Sequence, residues 1–221
     1  MENYMNDYLT IALPKGKLFT ISKNLLHRVG LSADHLSEKS RKLVIENEYL
    51  KVRFIIAKTS DVPTYVEYGA ADIGIIGKDV LLESQKDVYE ILDLGFGKCH
   101  LMMAVPQKEK RRRLLDYSYT RVATKYPHIA ESFFARQGMQ MEYIKLNGSI
   151  ELGPIVGLSE SIVDIVETGT TLAENDLEEI AHILDVSARL IVNRVSFKLK
   201  FHRINEIVNN LRPIIESGEI L

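Results

Sequence analysis

The stretch Ser161-Ile162-Val163-Asp164-Ile165-Val166-Glu167-Thr168-Gly169-Thr170-Thr171-Leu172 decides how the chain is read. Its first half, Ser161 to Val166, is an apolar strand. It runs into a turn of hydroxyl residues and glycine, and a helix start follows with Leu172, Ala173 and Leu177 as its apolar positions. Strand, turn and helix in this order belong to α/β architecture. The turn itself has two readings. One is a strand-to-helix connection capped by threonine. The other is a cradle in which glycine lets the backbone come close and the helix N-terminus adds partial positive charge. A phosphate suits that cradle. Asp164 and Glu167 flank it, and a phosphate alone would not favour them, whereas ribose hydroxyls or a ligand-borne magnesium ion would. The second reading is therefore a sugar-phosphate site, and this stretch alone does not choose between the two.

Composition narrows the alternatives. The 221 residues are 46% hydrophobic and 26% charged, with a net charge of −2, which is ordinary globular composition with ample material for a core. Near-neutral charge argues against a general nucleic-acid or membrane binder. The polar, acidic start, Met1 to Asp7, lacks the basic flank and apolar run of a signal peptide, so the expected location is the cytoplasm. The single cysteine, Cys99, excludes an internal disulfide, and the six histidines have no paired ligand spacing.

Outward from the central stretch, strand and helix patterns alternate nearly throughout. Tyr8 to Leu13 reads as a first strand, Pro14-Lys15-Gly16-Lys17 as a tight turn, and the next segment as a helix with Leu18, Ile21, Leu25, Leu26 and Val29 on one face. Loops that follow strands of an open parallel sheet form its ligand crevice, which puts Lys15 and Lys17 where anionic oxygens bind. Solvated lysines are the alternative, and the tight glycine between them, Gly16, favours the functional reading. Arg41 to Glu46 and Lys51 to Ala57 read as strands, and Thr59-Ser60-Asp61-Val62-Pro63 as a helix start. Ala71 to Gly77 is a buried strand whose two glycines mark either close helix–sheet packing or the approach of a ligand. The basic run Lys108 to Arg113 is interrupted by Glu109 and lacks interleaved aromatics, so it reads as a solvated helix face. Arg189 to Asn193 is a late strand. The last helix carries Ile204, Ile207, Val208, Leu211 and Ile215 at helical spacing, with Pro213 limiting its final turns. The expected fold class is α/β with mostly parallel sheets.

Taken together, these segments resemble the short form of the ATP phosphoribosyltransferase family. The residues that carry the resemblance are Leu13-Pro14-Lys15-Gly16-Lys17, Ser40-Arg41-Lys42-Leu43, the run Ser60 to Gly74, Gly77-Lys78-Asp79-Val80-Leu81, Ala123-Thr124-Lys125-Tyr126-Pro127, Lys145-Leu146-Asn147-Gly148-Ser149 with Glu151, Asp164 to Leu172, and Ala188 to Asn193. The series runs from about Leu9 to the C-terminus. The resemblance implies two lobes of periplasmic-binding-protein-like topology, 1–97 plus 182–221 and 98–181, the second carrying the phosphate loop. It implies the reaction of ATP with phosphoribosyl pyrophosphate to give N1-phosphoribosyl-ATP and pyrophosphate, with Mg2+, at the opening step of histidine biosynthesis. It also implies a homodimer and, because short forms lack the C-terminal regulatory domain, a hetero-octamer with a partner related to histidyl-tRNA synthetase.

Residue roles follow from the resemblance and from the chemistry, in which positive charge builds on the ribose and negative charge on departing pyrophosphate. Thr168, Gly169, Thr170 and Thr171 fit the 5′-phosphate. Asp164 and Glu151 fit the ribose hydroxyls, directly or through magnesium, and Glu167 joins them although its position in the family also accepts non-acidic residues. Lys15, Gly16, Lys17, Arg41 and Lys58 fit the ATP phosphates and the pyrophosphate, with Lys17 and Arg41 as the catalytic pair. Lys17 and Lys58 stand where the family commonly has arginine, which keeps the charge but loses the bidentate fork. No residue is assigned as a general base, because adenine N1 already carries a lone pair. The rival expectation, from another class, is a two-lobed protein that binds an anionic solute without catalysis.

Overall fold

Leu9–Pro14 (β1) is buried along its whole length, and a strand buried on both faces needs a layer on each side. In the computed structural model, which describes residues 8–31, 36–37, 42–109 and 113–218, helices supply both layers. After β1 come α1 (Lys17–Arg28), β2 (Val44–Asn47), β3 (Val52–Ala57), α2 (Val62–Glu67), β4 (Ile73–Gly77), α3 (Lys78–Ser84) and β5 (Tyr89–Asp93). The chain continues through β6 (Cys99–Pro106), β7 (Arg121–Thr124), α4 (Pro127–Arg136), β8 (Glu142–Lys145), α5 (Leu152–Ile155), β9 (Ser161–Val166), α6 (Thr170–Glu174) and β10 (Leu177–Val186). It closes with β11 (Ala188–Val192), α7 (Arg194–Leu199) and α8 (Phe201–Glu216). Two units result, Met1–Gly97 with Ser187–Leu221, and Lys98–Val186.

The first unit is built on a sheet of order β2-β3-β1-β4-β11-β5. Leu9, Ile11 and Leu13 alternate onto one face, where they meet Phe19, Leu25 and Leu26 of α1 and Ile204, Ile207, Val208 and Leu211 of α8. Ala12 faces the other way, toward Val62 and Val66 of α2 and Leu81 of α3. Small residues on that side let α2 lie close. A methyl at Gly74 would come within 2.8 Å of Val66 Cγ2 and 2.9 Å of Val62 Cγ1, so this glycine serves helix–sheet packing. The return of the chain at Ser187 is fastened by buried polar groups. Asn193 accepts from the N–H groups of Val195 and Ser196 and donates to the carbonyls of Val66 and Glu67. Lys200 Nζ lies 2.7 Å from Asp72 Oδ2 and 2.7 Å from the carbonyl of Tyr8, and the same Asp72 oxygen accepts from Thr10 N–H.

The second unit is a sheet of order β10-β6-β9-β7-β8. Leu101, Met103, Val122 and Val163 pack on one face with Ile129, Ala130 and Phe134 of α4. Met102, Ala104, Ala123, Ile162 and Val166 form the other face with Ile150 and Leu172. At the start of β7, Arg121 pairs with Glu160 just ahead of β9, and its guanidinium holds the Glu160 carboxyl below the usual carboxylate range.

Several expectations are corrected. The sheets are mixed: β3-β1-β4 and β9-β7-β8 are parallel, whereas β2, β11, β5, β6 and β10 pair antiparallel. The helix after the threonine-glycine turn stops at Glu174 and does not reach Leu177. Asn175 Nδ2 turns back to the Thr171 carbonyl at 2.8 Å, and Asp176 adopts φ +54°, which ends the helix. Leu177 instead opens β10, a strand not anticipated, and the return to the first unit falls after Val186 and not at 182. Pro213 lies inside α8, which continues to Glu216. Arg41 and most of the segment 32–41 lie outside the described residues.

Candidate active site

In the first unit the sequence puts a cation-rich turn at the end of a buried parallel strand. Pro14 of β1 is in register with Ala57 of β3, so the segments that follow, Lys15-Gly16-Lys17 and Lys58, emerge side by side. They are tied together: Lys15 N–H donates to the Ala57 carbonyl at 2.9 Å, and Thr59 Oγ1 donates to the Lys15 carbonyl at 3.1 Å. Gly16 has φ +93° and ψ −153°, a conformation essentially reserved for glycine, and it is the residue from which α1 starts. Lys15, Gly16, Lys17 and Lys58 are exposed. The first turn of α1 contains no acidic residue and opens with Lys17. A cation at the positive end of a helix is unfavourable by itself, and becomes favourable when an anion sits there. Lys78 follows β4, the third parallel strand on this edge, and pairs with Glu90 of β5.

In the second unit the parallel strands β9, β7 and β8 end on a common edge. The segment after β8 carries Glu151 at the start of α5, half-buried, with its neighbour Ile150 in the same apolar cluster as Leu172 of α6. Asp164 is paired with Met102 and shares the face of Ile162 and Val166, so strand alternation brings its half-buried carboxylate onto the side where α5 and α6 lie. Glu167, Thr168, Thr170 and Thr171 are exposed. Gly169 takes the left-handed conformation at φ +75°, and Thr168 Oγ1 and Thr170 Oγ1 are 3.1 Å apart. Among the described residues, the backbone N–H groups of Gly169, Thr170 and Thr171 have no hydrogen-bond acceptor, as expected of a first helical turn. The stretch thus gathers neutral donors at its tip and carboxylates at its flanks.

The residues expected from sequence therefore form two sets, Lys15, Gly16, Lys17 and Lys58 in one unit and Glu151, Asp164 and Glu167 to Thr171 in the other. Arg41 lies outside the described residues. One residue was not foreseen. Glu179 of β10 places Oε1 where a methyl on Gly169 would be 3.8 Å away. It was hidden because β10 itself was not legible. Among the described residues, no group of three or more His, Cys, Asp or Glu side chains could by itself hold a metal ion. No helix among them is long and apolar enough to cross a membrane.

The family model HisG, ATP phosphoribosyltransferase, matches residues 58–213. An ATP phosphoribosyltransferase of Desulfitobacterium hafniense is 53% identical over 216 residues, covering 95% of this chain and 97% of the relative. One from Syntrophotalea carbinolica is 51% identical over 212 residues, covering 96% and 97%. Among solved structures, the ATP phosphoribosyl transferase (HisG:HisZ) complex from Thermotoga maritima superposes with a TM-score of 0.79 at 32% identity, over 95% of this chain and 99% of that one. A substrate-binding protein of an amino acid ABC transporter reaches a TM-score of 0.62 at 12% identity over 96% and 95%, a likeness of fold alone. With a family match over most of its length and relatives at half identity across nearly all of it, the chain belongs to the ATP phosphoribosyltransferase family.

Proposed function

We infer that this chain transfers the 5-phosphoribosyl group of phosphoribosyl pyrophosphate to N1 of the adenine of ATP, releasing pyrophosphate, as the first step of histidine biosynthesis. The observation that carries the reading is the Asp164–Leu172 stretch. Unpaired N–H groups and threonine hydroxyls suit a 5′-phosphate, and a carboxylate on the adjoining strand face suits ribose hydroxyls. A solute-binding protein has no use for that combination.

The chemistry asks for positioning and charge more than for proton transfer. Thr168, Gly169, Thr170 and Thr171 hold the 5′-phosphate. Asp164 and Glu151, with Glu167 beside them, orient the ribose hydroxyls and stabilise the positive charge that develops at the anomeric carbon. Lys15, Gly16, Lys17 and Lys58 receive the ATP phosphates and the departing pyrophosphate, with Lys17 and Arg41 stabilising the charge on the leaving group. Magnesium favours oxygen donors and would be held mainly by the substrate phosphates, whose charge it would offset; Asp164 and Glu151 would offer it carboxylate oxygens from the ribose side. The Thermotoga maritima relative was solved as a HisG:HisZ complex, which supports a HisZ-type partner here. We assign the partner as a regulatory subunit related to histidyl-tRNA synthetase, joined in a hetero-octamer with homodimers of this chain in the cytoplasm.

The test is direct. The protein is mixed with ATP, phosphoribosyl pyrophosphate and magnesium, with inorganic pyrophosphatase to draw the reaction forward, and phosphoribosyl-ATP is followed by its ultraviolet absorbance. Product forms if the reading is right. No product, alone or with the regulatory partner added, overturns it.

A further inference from the structure

The face of the second sheet that carries Asp164 extends across β6 to β10, where it carries a patch of titratable groups that the reaction as described does not use. In register along these strands, His100 lies opposite Asp185, Met102 opposite His182 and Ala104 opposite Glu179, while Asp164 lies opposite Met102 on the other side. Directly opposed residues point to the same face, so His100, Glu179, His182, Asp185 and Asp164 share it. His100 Nε2 lies 3.9 Å from Glu179 Oε1. The rings of His100 and His182 are 5.9 Å apart and inclined by 30°, and His182 Nε2 is 2.9 Å from Asp185 Oδ1. The Glu179 oxygen that faces His100 is the one that faces Gly169, at 3.8 Å from the position of an added methyl.

A carboxylate at the bend of a phosphate loop opposes the ligand, because like charges repel over this range. It ceases to do so when a cation takes it up. Imidazole is the side chain that gains a charge between pH 8 and 5. Among the described residues, the strand register puts Asp164 of β9 and Asp185 of β10 on the same face as the pair, both acids, with His182 the second base. A dianion added to this group favours protonation of a histidine next to it.

We propose that His100 and Glu179 form a proton-linked positioning pair for the phosphate loop. As the loop takes the 5′-phosphate, His100 takes up a proton, pairs with Glu179 and cancels its charge beside Gly169. The inference rests on the phosphate assignment of that loop. Phosphoribosyl pyrophosphate affinity then gains from acidification by up to one proton's worth, about tenfold per pH unit at the limit. The ligand's own phosphates also titrate, but equally for every variant, so the ratio of variant to parent isolates the protein's contribution.

The experiment is calorimetric titration of the full chain with magnesium phosphoribosyl pyrophosphate from pH 6 to 8.5, for parent, Glu179→Gln and His100→Gln. Repeating each titration in buffers of different ionisation heat counts the protons taken up. Glu179→Gln is expected to bind about three- to tenfold more tightly than the parent at pH 8.5 and equally at pH 6. His100→Gln is expected to bind about three- to tenfold more weakly at pH 6, to match the parent at pH 8.5, and to take up fewer protons. Ratios that stay constant across the pH range overturn the pair while leaving the loop assignment intact. Absence of binding by the parent at any pH overturns the loop assignment and the pair with it.

Discussion

Gly16→Ala isolates what a backbone conformation contributes to the first unit's cationic turn. At φ +93° and ψ −153° an alanine is strained by about 1–3 kcal/mol. Among the described residues, no atom beyond its chain neighbours lies within 4 Å of the added methyl, so the cost is that of the backbone conformation. The protein has two ways to bear it. If the turn keeps its shape, the strain lowers stability, and at about 2–4 °C per kcal/mol for a chain of this size the melting temperature falls by roughly 2–12 °C. If the turn relaxes, Lys15 loses its bond to the Ala57 carbonyl and Thr59 its hold on the Lys15 carbonyl, and the lysines leave their places. The same energy then appears as a fall in kcat/KM of roughly 5- to 160-fold. Gly30→Ala is the control. It also has positive φ, +78°, and open space, but it lies past the far end of α1. There the left-handed conformation costs roughly 1 kcal/mol, and the change should lower the melting temperature without touching kcat/KM. Differential scanning fluorimetry and steady-state kinetics on both variants decide it. A Gly16→Ala protein with melting temperature and kcat/KM both at parental values refutes the argument.

Three further outcomes are expected. Lys200→Met leaves the Asp72 carboxylate buried with only a backbone donor, which should destabilise by about 3 kcal/mol in chemical denaturation, while adding Asp72→Asn should recover much of the loss. Thr171→Val removes a hydroxyl from a charged ligand at an exposed position, so phosphoribosyl pyrophosphate should bind roughly 10- to 100-fold more weakly with folding unchanged; an unaltered dissociation constant in calorimetry would remove Thr171 from the anchor. Arg41→Ala should lower turnover with phosphoribosyl pyrophosphate binding largely kept, and equal kcat in mutant and parent would take Arg41 off the catalytic pair.

What was legible in the sequence depended on how local the signal was. β1 and α1 were readable because a buried strand, a glycine turn and a 3.6-residue apolar stripe are each local patterns. Leu177–Val186 was not, because its spacing misleads. Leu177, Ile180, Ile183, Leu184 and Val186 recur as a helix would, yet the segment is a strand pairing β6. Its register slips between Glu179 and Ala181 and again between His182 and Leu184, and each bulge shifts the two-residue alternation by one. The same strand decides where the second unit ends, so the boundary was misplaced with it. The antiparallel pairings of β11 and β6 were hidden for a different reason: pairing direction depends on where a strand returns in space, which no local pattern encodes. Gly74 could be narrowed only to a close approach, and its partners Val62 and Val66 show that α2 makes it.

The residues that break local rules are the ones that the proposed reaction assigns to its ligands, and their signs sort by the charge each would meet. Lys17 stands at the positive end of α1 with no acid in the first turn, an arrangement that favours an anion there. The Asp164–Leu172 stretch inverts this: it contains Asp164 and Glu167 but no lysine or arginine, and its donors are N–H groups and hydroxyls. A loop meant only to grip phosphate would gain from a cation. A loop that must also adjoin an anomeric carbon becoming positive would not, since a cation there opposes the transition state while a carboxylate favours it. On the proposed assignment, holding the 5′-phosphate by neutral donors keeps this stretch free of positive charge beside the ribose, and the Lys15–Lys17 turn and Lys58 bring positive charge to the groups that take or lose the pyrophosphate. Thr170→Lys tests this division: it should tighten phosphoribosyl pyrophosphate binding while lowering kcat, and a variant in which both improve would show that the missing cation has no electrostatic purpose.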